Sequence, residues 1–316
     1  VVRSPRYEAT RKEAAVAIAV HSEKLRDLVD EGADVEQVAT GFTFTEGPIW
    51  MPDGSLHFSD MPADKRRRWH PAEGVEVLRD PSNKCNGMTL DKDGFLIVCE
   101  HVTSSVVRER ADGAREVLAS HWGSKYLNSP NDVIVASDGS ILFTDPTYGR
   151  MPGFGIERAQ ELDFQGVYRV PPDRGELQLL LDDFAQPNGL CFSPDESLLY
   201  VNDTDRAHIR VFEVGANHAL ANGRVFAENI GDGDLAKGGL VDGMKVDERG
   251  NVYVTGPDGV WVFSPEGEHL GVIQVPESVG NINWGGEDWS TLYMPSTTSI
   301  YRVSMKVSGN RLGYMH

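Results

Sequence analysis

The sequence predicts an all-β fold, a six-bladed β-propeller with a short helical arm at its N-terminus, and three observations carry that expectation. An oxygen-bearing side chain recurs at Glu46, Asn86, Asn131, Asn188, Asp242 and Asn281. Each stands seven residues ahead of a turn between two apolar runs, centred on Asp53, Asp93, Asp138, Asp195, Arg249 and Asp288. Most copies are followed by a second hairpin signal, as from Val106 to Leu118 around Asp112-Gly113 and from Val260 to Val275 around Glu266-Gly267. Two hairpins make a four-stranded sheet, and six such sheets in series make a propeller. The 316 residues suffice for one large closed β-domain, with 33 glycines and 17 prolines spread among turns rather than gathered in a linker.

In chain order, residues 1–34 are expected to form the arm. From Tyr7 to Gly32, alanines, charges and spaced aliphatics (Ala14, Val16, Ile18, Leu25, Leu28, Val29) predict a helix or two packed outside the ring, a candidate surface for homo-oligomer formation. Residues 35–316 are read as the propeller. Residues 35–42 precede the first repeat and are expected to close the last blade, which runs out after Ser299–Val303 and the turn at Lys306-Val-Ser-Gly. Such closure removes the exposed edges that endanger sheets. Between these ends the same phrase returns: residues 86–98 and 242–254 are each a strand, a Gly-containing turn and a second strand rich in β-branched or aromatic residues. The interval from Asn131 to Asn188 is the longest. Its excess, Tyr148 to Gln165 with Arg150, Met151, Phe154 and Arg158, is expected to lie over the pocket as a lid.

Charge and composition exclude several classes. A formal net charge of −18, from 48 acidic and 30 basic residues, leaves no basic surface for nucleic acid. The one basic cluster, Lys65 to Arg68, is read as a solvated strand edge or loop. No apolar run is long enough to span a membrane. Cys85, Cys99 and Cys191 read as buried thiols rather than a disulfide framework or a zinc set, which favours a reducing compartment and a cytoplasmic location. The start, Val-Val-Arg-Ser-Pro, leaves the periplasm open as an alternative.

A repeat that keeps an oxygen at one offset, while its intervals vary, places the six side chains around a common axis. Two carboxylates and four amides, with no histidine or thiol among them, describe a site for a hard cation. Calcium fits best, with Mg2+, Mn2+ or Zn2+ as substitutes. No Gly-x-Ser-x-Gly elbow occurs, so a serine-hydrolase reading has no support.

The motifs Gly41-Phe-Thr-Phe-Thr-Glu46-Gly47-Pro48-Ile-Trp50, Asn128-Ser-Pro-Asn131-Asp132-Val, Phe143-Thr-Asp145-Pro146-Thr-Tyr148-Gly149, Pro187-Asn188-Gly189-Leu, Val241-Asp242-Gly243-Met244 and Trp284-Gly-Gly occur in order. Together they resemble the gluconolactonase branch of the senescence-marker-protein, gluconolactonase and luciferin-regenerating-enzyme family, from about Gly41 to Val303. The resemblance implies a six-bladed propeller with a divalent cation, usually calcium, in a central pocket that hydrolyses lactones. It implies Glu46, Asn188 and Asp242 as metal ligands and Asp242 also as catalytic base. Asn131 is implied as a ligand or a substrate contact. Asn86, His101, Tyr148 and Asn281 are the further candidates for substrate binding. Asp132, Asp145 and Asp203 are read as satisfying turns or blade contacts, and Gly231-Asp-Gly-Asp234 as a loop over the pocket.

The function so expected is metal-dependent opening of a lactone ring, most simply a sugar lactone such as gluconolactone, by a hydrolase of carbohydrate metabolism. Two alternatives stand beside it. One is an enzyme of the same family acting on an aromatic lactone, an organophosphate or a non-hydrolytic substrate; the other is a non-catalytic propeller that binds protein.

Overall fold

The computed structural model describes residues 18–231 and 239–311. Among the described residues six antiparallel blades follow one another, with four strands each and a fifth strand added to one, and a two-stranded ribbon of His121–Trp122 with Lys125–Tyr126 lies between blades 2 and 3 in the chain. Blade 1 comprises Thr45–Trp50, Leu56–Asp60, Lys65–His70 and Gly74–Arg79. The inner strands of blades 2 to 6 are Cys85–Leu90, Val133–Val135, Pro187–Phe192, Met244–Val246 and Asn283–Gly285.

Local chemistry dictates the turns. Asp53, Asp138, Asp195 and Asp288 each accept, on a carboxylate oxygen, the backbone N–H two residues ahead, at 2.7–3.1 Å. A short acidic side chain closing on its own backbone replaces the ladder where the strand must reverse. In blades 2 and 5 the anchoring carboxylates are Asp91 and Asp247, just ahead of the turn centres.

The buried apolar residues form six clusters, and each fills the gap between neighbouring blades. Ile49, Cys85, Met88 and Val98 join blades 1 and 2; Leu56, Phe58, Trp69, Tyr293 and Ile300 join blades 6 and 1. Trp50 stacks on Tyr293 across that last gap, with ring centres 5.1 Å apart. All three cysteines are buried and free.

Ring closure follows the expectation: Glu36–Thr40 pairs antiparallel with Ser299–Ser304 as the outer strand of blade 6. The arm differs. Ile18–Val20 is a strand, paired with His269–Gln274 on the edge of blade 5, and Glu23–Asp27 is one 3-10 turn. The open edge offers unpaired N–H and C=O groups to a β-branched segment, which outweighs helical spacing. Leu25, Leu28 and Val29 are still buried, as their spacing required. Tyr7 to Ala17 lie outside the described residues, as do Asp232 to Asp234 of the acidic loop.

The basic cluster also differs from expectation. Lys65–His70 is an interior strand of blade 1, and its cations are paired: Arg66 with Glu109 at 2.5 Å, Arg67 with Asp60 at 2.8 Å and Arg68 with Glu73 at 2.5 Å. Carboxylates from blade 2, from the preceding strand and from the following turn supply what a local reading assigned to solvent.

Candidate metal and active site

The six axial residues stand at the entries of the inner strands. Glu46, Asn86 and Asn188 each occupy the second position of theirs, while Asn131, Asp242 and Asn281 lie just ahead of theirs. In four blades the next residue is glycine, for a reason visible only across the axis. A Cβ on Gly47 would lie 1.8 Å from the Asn86 carbonyl oxygen, one on Gly189 2.2 Å from that of Asp242, and one on Gly243 2.1 Å from Asn281 Oδ1. The N–H of Gly87 donates to Asn131 O at 2.8 Å and that of Gly189 to Asp242 O at 3.2 Å. Each bare backbone thus leans on the axial residue of the following blade and draws the ring tight.

The side chains meet in a hydrogen-bonded ring. Asn281 Nδ2 donates to Glu46 Oε2 at 3.1 Å, Asn131 Nδ2 to Asn188 Oδ1 at 2.5 Å, and Asn86 Nδ2 to Asn131 Oδ1. The carboxyl groups of Glu46 and Asp242 face each other at the axis within reach of a shared proton, and Asp242 lies close to the Asn188 amide. Five of the six are buried; Asp242 lies deep in the fold yet keeps some accessible surface.

Electrostatically this is an expensive arrangement. Burial, only partly offset by the Gly47 N–H and Asn281, pushes Glu46 up to about 7. Burial and then the neighbouring charge of Glu46 hold Asp242 well above the usual carboxylate range. Among the described residues neither carboxylate has a cationic side chain as ion-pair partner. Two carboxyl groups driven together without a counter-charge suit a bound cation. No group of three or more His, Cys, Asp or Glu with metal-ligand spacing occurs among the described residues, so the donors are two carboxylates and amide oxygens. That set matches a hard dication better than zinc or copper.

The remaining candidates are distributed unevenly. Asn131 turns its Nδ2 toward Asn188 and its oxygen toward Asn86, so only a flip of the amide would present oxygen to the centre. Asn281 spends its Oδ1 on the Ile282 N–H and its Nδ2 on Glu46, which makes it a holder of Glu46. His101 is fully buried: Nδ1 faces Phe154 O at 2.9 Å and Nε2 faces Asn86 Nδ2 at 3.2 Å. A neutral ring that donates through Nδ1 and accepts at Nε2 satisfies both contacts, and burial lowers its pKa accordingly. Tyr148 is partly buried, its hydroxyl against Thr204 and near Asp242 but without a well-formed hydrogen bond.

The long insertion does lie on this face. Phe154 reaches His101, its ring meets Phe44 edge-on at 6.1 Å, and Lys84 Nζ donates to Gly153 O at 2.8 Å. Arg150 is turned inward, donating to Leu127 O at 2.9 Å and to Ala159 O, which ties the insertion to the segment that leads into blade 3. Asp145 and Asp203 satisfy backbone as read: Asp145 accepts from the N–H groups of Asn128 and Ser129 at 2.8 Å, and Asp203 from Ala185 and Gln186.

With this geometry in place, comparison with known proteins is decisive. The family described as "SMP-30/Gluconolactonase/LRE-like region" matches residues 44–298. The chain belongs to this family. It is 33% identical to the gluconolactonase of Zymomonas mobilis, over 91% of its own length and 86% of that protein's. It is 25% identical to the 6-deoxy-6-sulfogluconolactonase of Pseudomonas putida, over 80% and 82% respectively. A solved gluconolactonase from Xanthomonas campestris superposes with a TM-score of 0.83 at 33% identity, covering 92% of this chain and 94% of that one. The protein is a lactone-hydrolysing enzyme of the gluconolactonase type.

Several residues that orient this gluconolactonase-like site carry no signal in the linear repeat. Thr204 Oγ1 accepts from Asn188 Nδ2 at 3.1 Å and donates to Val241 O at 2.7 Å. Thr255 Oγ1 accepts the Asp242 N–H at 3.0 Å, and Asn202 Nδ2 donates to the Asp242 carbonyl at 2.6 Å. All three stand at or just past the ends of the second strands of blades 4 and 5, and they share no spacing from the preceding axial residue that would have marked them in the sequence. Asp132 was read as satisfying a turn or blade contact. Its Oδ1 does accept the Val133 N–H at 2.9 Å, but Oδ2 is buried without a hydrogen-bond partner.

Proposed function

We propose that the protein is a divalent-metal-dependent lactonase, that calcium is its natural ion, and that a sugar lactone of the aldonolactone class is its substrate. The observation that carries the metal is the approach of the Glu46 and Asp242 carboxyl groups deep in the fold, with no cationic side chain among the described residues paired to either. Glu46, Asn188 and Asp242 would hold the ion, with Asn131 as a fourth oxygen after an amide flip. When bound, a dication there supplies Lewis-acid polarisation of the ester carbonyl.

The chain's own residues do the rest. Asp242, the most accessible of the axial set, takes a proton from the attacking water as the hydroxyl adds to the carbonyl carbon. The ring C–O bond then breaks, and the same proton passes from Asp242 to the departing alkoxide, giving a hydroxy acid. The Thr255 hydroxyl and the Asn202 amide fix the backbone on either side of Asp242, which orients its carboxylate. Asn86, Asn131 and Tyr148 line the approach, and their amide and phenol groups suit a polyhydroxylated ring. His101 and Asn281 serve by holding Asn86 and Glu46. The acidic interior and the net charge of −18 favour the neutral lactone as ligand and expel the anionic acid that forms from it.

The test is to strip the protein with chelator, restore Ca2+, Mg2+, Mn2+ or Zn2+ singly, and follow acid release from sugar, aliphatic and aromatic lactones. Calcium-restored turnover confined to sugar lactones is the expected outcome. Turnover that survives chelation with no ion retained would overturn the metal-dependent reading.

A further inference from the structure

Beneath the axial ring lies a third carboxylate with an unusual partner. Asp132 occupies the position after an axial residue where four other blades carry glycine. Its charge acts on both Glu46 and Asp242, and its Oδ2 atom is buried without a hydrogen-bond partner. Among the described residues the cation that approaches it is Lys245, whose Nζ lies 4.0 Å away and also donates to Met244 O at 3.1 Å. Lys245 follows closely on Asp242 in blade 5 and reaches toward Asp132 in blade 3 from the lower end of the central channel, where it lines a pocket with Val133, Ile134 and Asn283.

We propose that Lys245 is the counter-charge that sets the valence of the site, making it a determinant of metal affinity and of selectivity between divalent and trivalent ions. Glu46, Asp132 and Asp242 carry three negative charges when ionised, and Lys245 returns one. The remainder balances a dication. Without Lys245 the interior would balance a trivalent ion instead and would bind any cation more tightly, because charges at this depth are weakly screened and the interaction grows in proportion to the ion's charge. Lys245 neither ligates metal nor meets substrate; it acts through Asp132. The inference rests on the metal-binding reading of the axial set.

The test measures binding rather than turnover. Calcium is titrated calorimetrically, and terbium by tyrosine- and tryptophan-sensitised luminescence, into the full chain as wild type, Lys245→Met, Lys245→Arg, Asp132→Asn and the Lys245→Met/Asp132→Asn double variant. Lys245→Met is expected to tighten calcium about fivefold and terbium about tenfold, the larger gain following the larger charge. Lys245→Arg should match the wild type. Asp132→Asn should weaken both ions, and the double variant, whose net site charge is restored, should return close to wild type. Variants that fold as judged by circular dichroism, yet bind both ions within twofold of the wild type, overturn the role of Lys245; so does a Lys245→Met protein that binds more weakly. If loss of the lysine unfolds the chain, Asp132→Asn reads the same charge from the other side, and unchanged binding there overturns the inference. A wild type that takes up neither ion defeats the metal site itself, and this inference with it.

Discussion

The carboxyl groups of Glu46 and Asp242, from blades 1 and 5, face each other at the propeller axis, close enough to share a proton. Such a contact requires one of them to hold a proton, or a cation to stand between them. In the metal-free protein burial pushes both groups toward their neutral forms, which favours the first condition. The second is the working state proposed here, and most of the expected behaviour below follows from moving between the two.

Replacing the proposed base tests the chemistry directly. Asp242→Asn keeps the size and an oxygen for the cation but cannot accept the proton, so kcat should fall about 10²–10⁴-fold. Calcium titration of the same variant separates lost binding from lost chemistry. Normal turnover with metal bound would remove Asp242 from the base role.

Calcium should also stabilise the fold. At about a hundredfold excess over its dissociation constant, an ion bound only by the native state adds about 2.7 kcal/mol, visible as a rise in melting temperature. Glu46→Gln should lose most of that rise while melting close to the wild type in chelator. A calcium shift that persists undiminished in Glu46→Gln would place the ion elsewhere.

Gly189→Ala should be more damaging than its size suggests. The new methyl group would lie 2.2 Å from the Asp242 carbonyl and 2.8 Å from Asn202 Nδ2, both parts of the frame that orients Asp242. A loss of about 2–4 kcal/mol in urea unfolding is expected, together with reduced kcat. Retention of full stability and activity would show that the ring tolerates expansion at this point.

His57 provides a pH signature away from the site. It lies in the second strand of blade 1, paired with Arg68, and its Nδ1 is buried without a hydrogen-bond partner. Burial first, and then the charge of Arg66, lower its pKa to about 4. The unfolded chain takes up a proton below about pH 6.5 that the folded chain refuses until about pH 4. The stabilising difference is therefore complete above pH 6.5 and is lost as pH falls through this window, by up to about 3 kcal/mol. His57→Gln should flatten that part of the unfolding profile relative to wild type. Parallel profiles would show that His57 titrates normally.

Cutting the link between the insertion and the ring should affect substrate more than metal. His101→Leu leaves the Phe154 carbonyl and the Asn86 amide without their imidazole partner. A loss of about 1–3 kcal/mol in stability and a raised KM are expected, with calcium affinity within about threefold of wild type. An unchanged KM in a folded variant would confine the insertion to a decorative role.

Much of this protein is legible before any coordinates. The recurring axial oxygen marks the blade count and the six inner-strand entries because a propeller repeats one local problem, a strand that begins at the axis and reverses at an acidic turn. The closing role of residues 35–42 follows from a strand deficit at the other end of the chain. The misjudged segments share a different cause. Lys65–Arg68 looked solvated because its buried partners Glu109 and Asp60 lie on another blade and on the preceding strand, whose pairing the local sequence does not show. His101 looked like a substrate contact because Phe154, which covers it, belongs to an insertion in another blade. Ile18–Val20 read as helix because the open edge of blade 5 is invisible from the arm.

Periodicity and residue chemistry are local properties, and they alone determined the propeller, its register and the oxygen-rich character of the axis. Closure of the ring decided which of those oxygens touch: it set Glu46 against Asp242, aimed the Asn131 amide at Asn188, and brought Lys245 under Asp132. The physical reason is that a charge's energy depends on its distances to every other charge and to water. Those distances come into being only when blade 6 packs against blade 1.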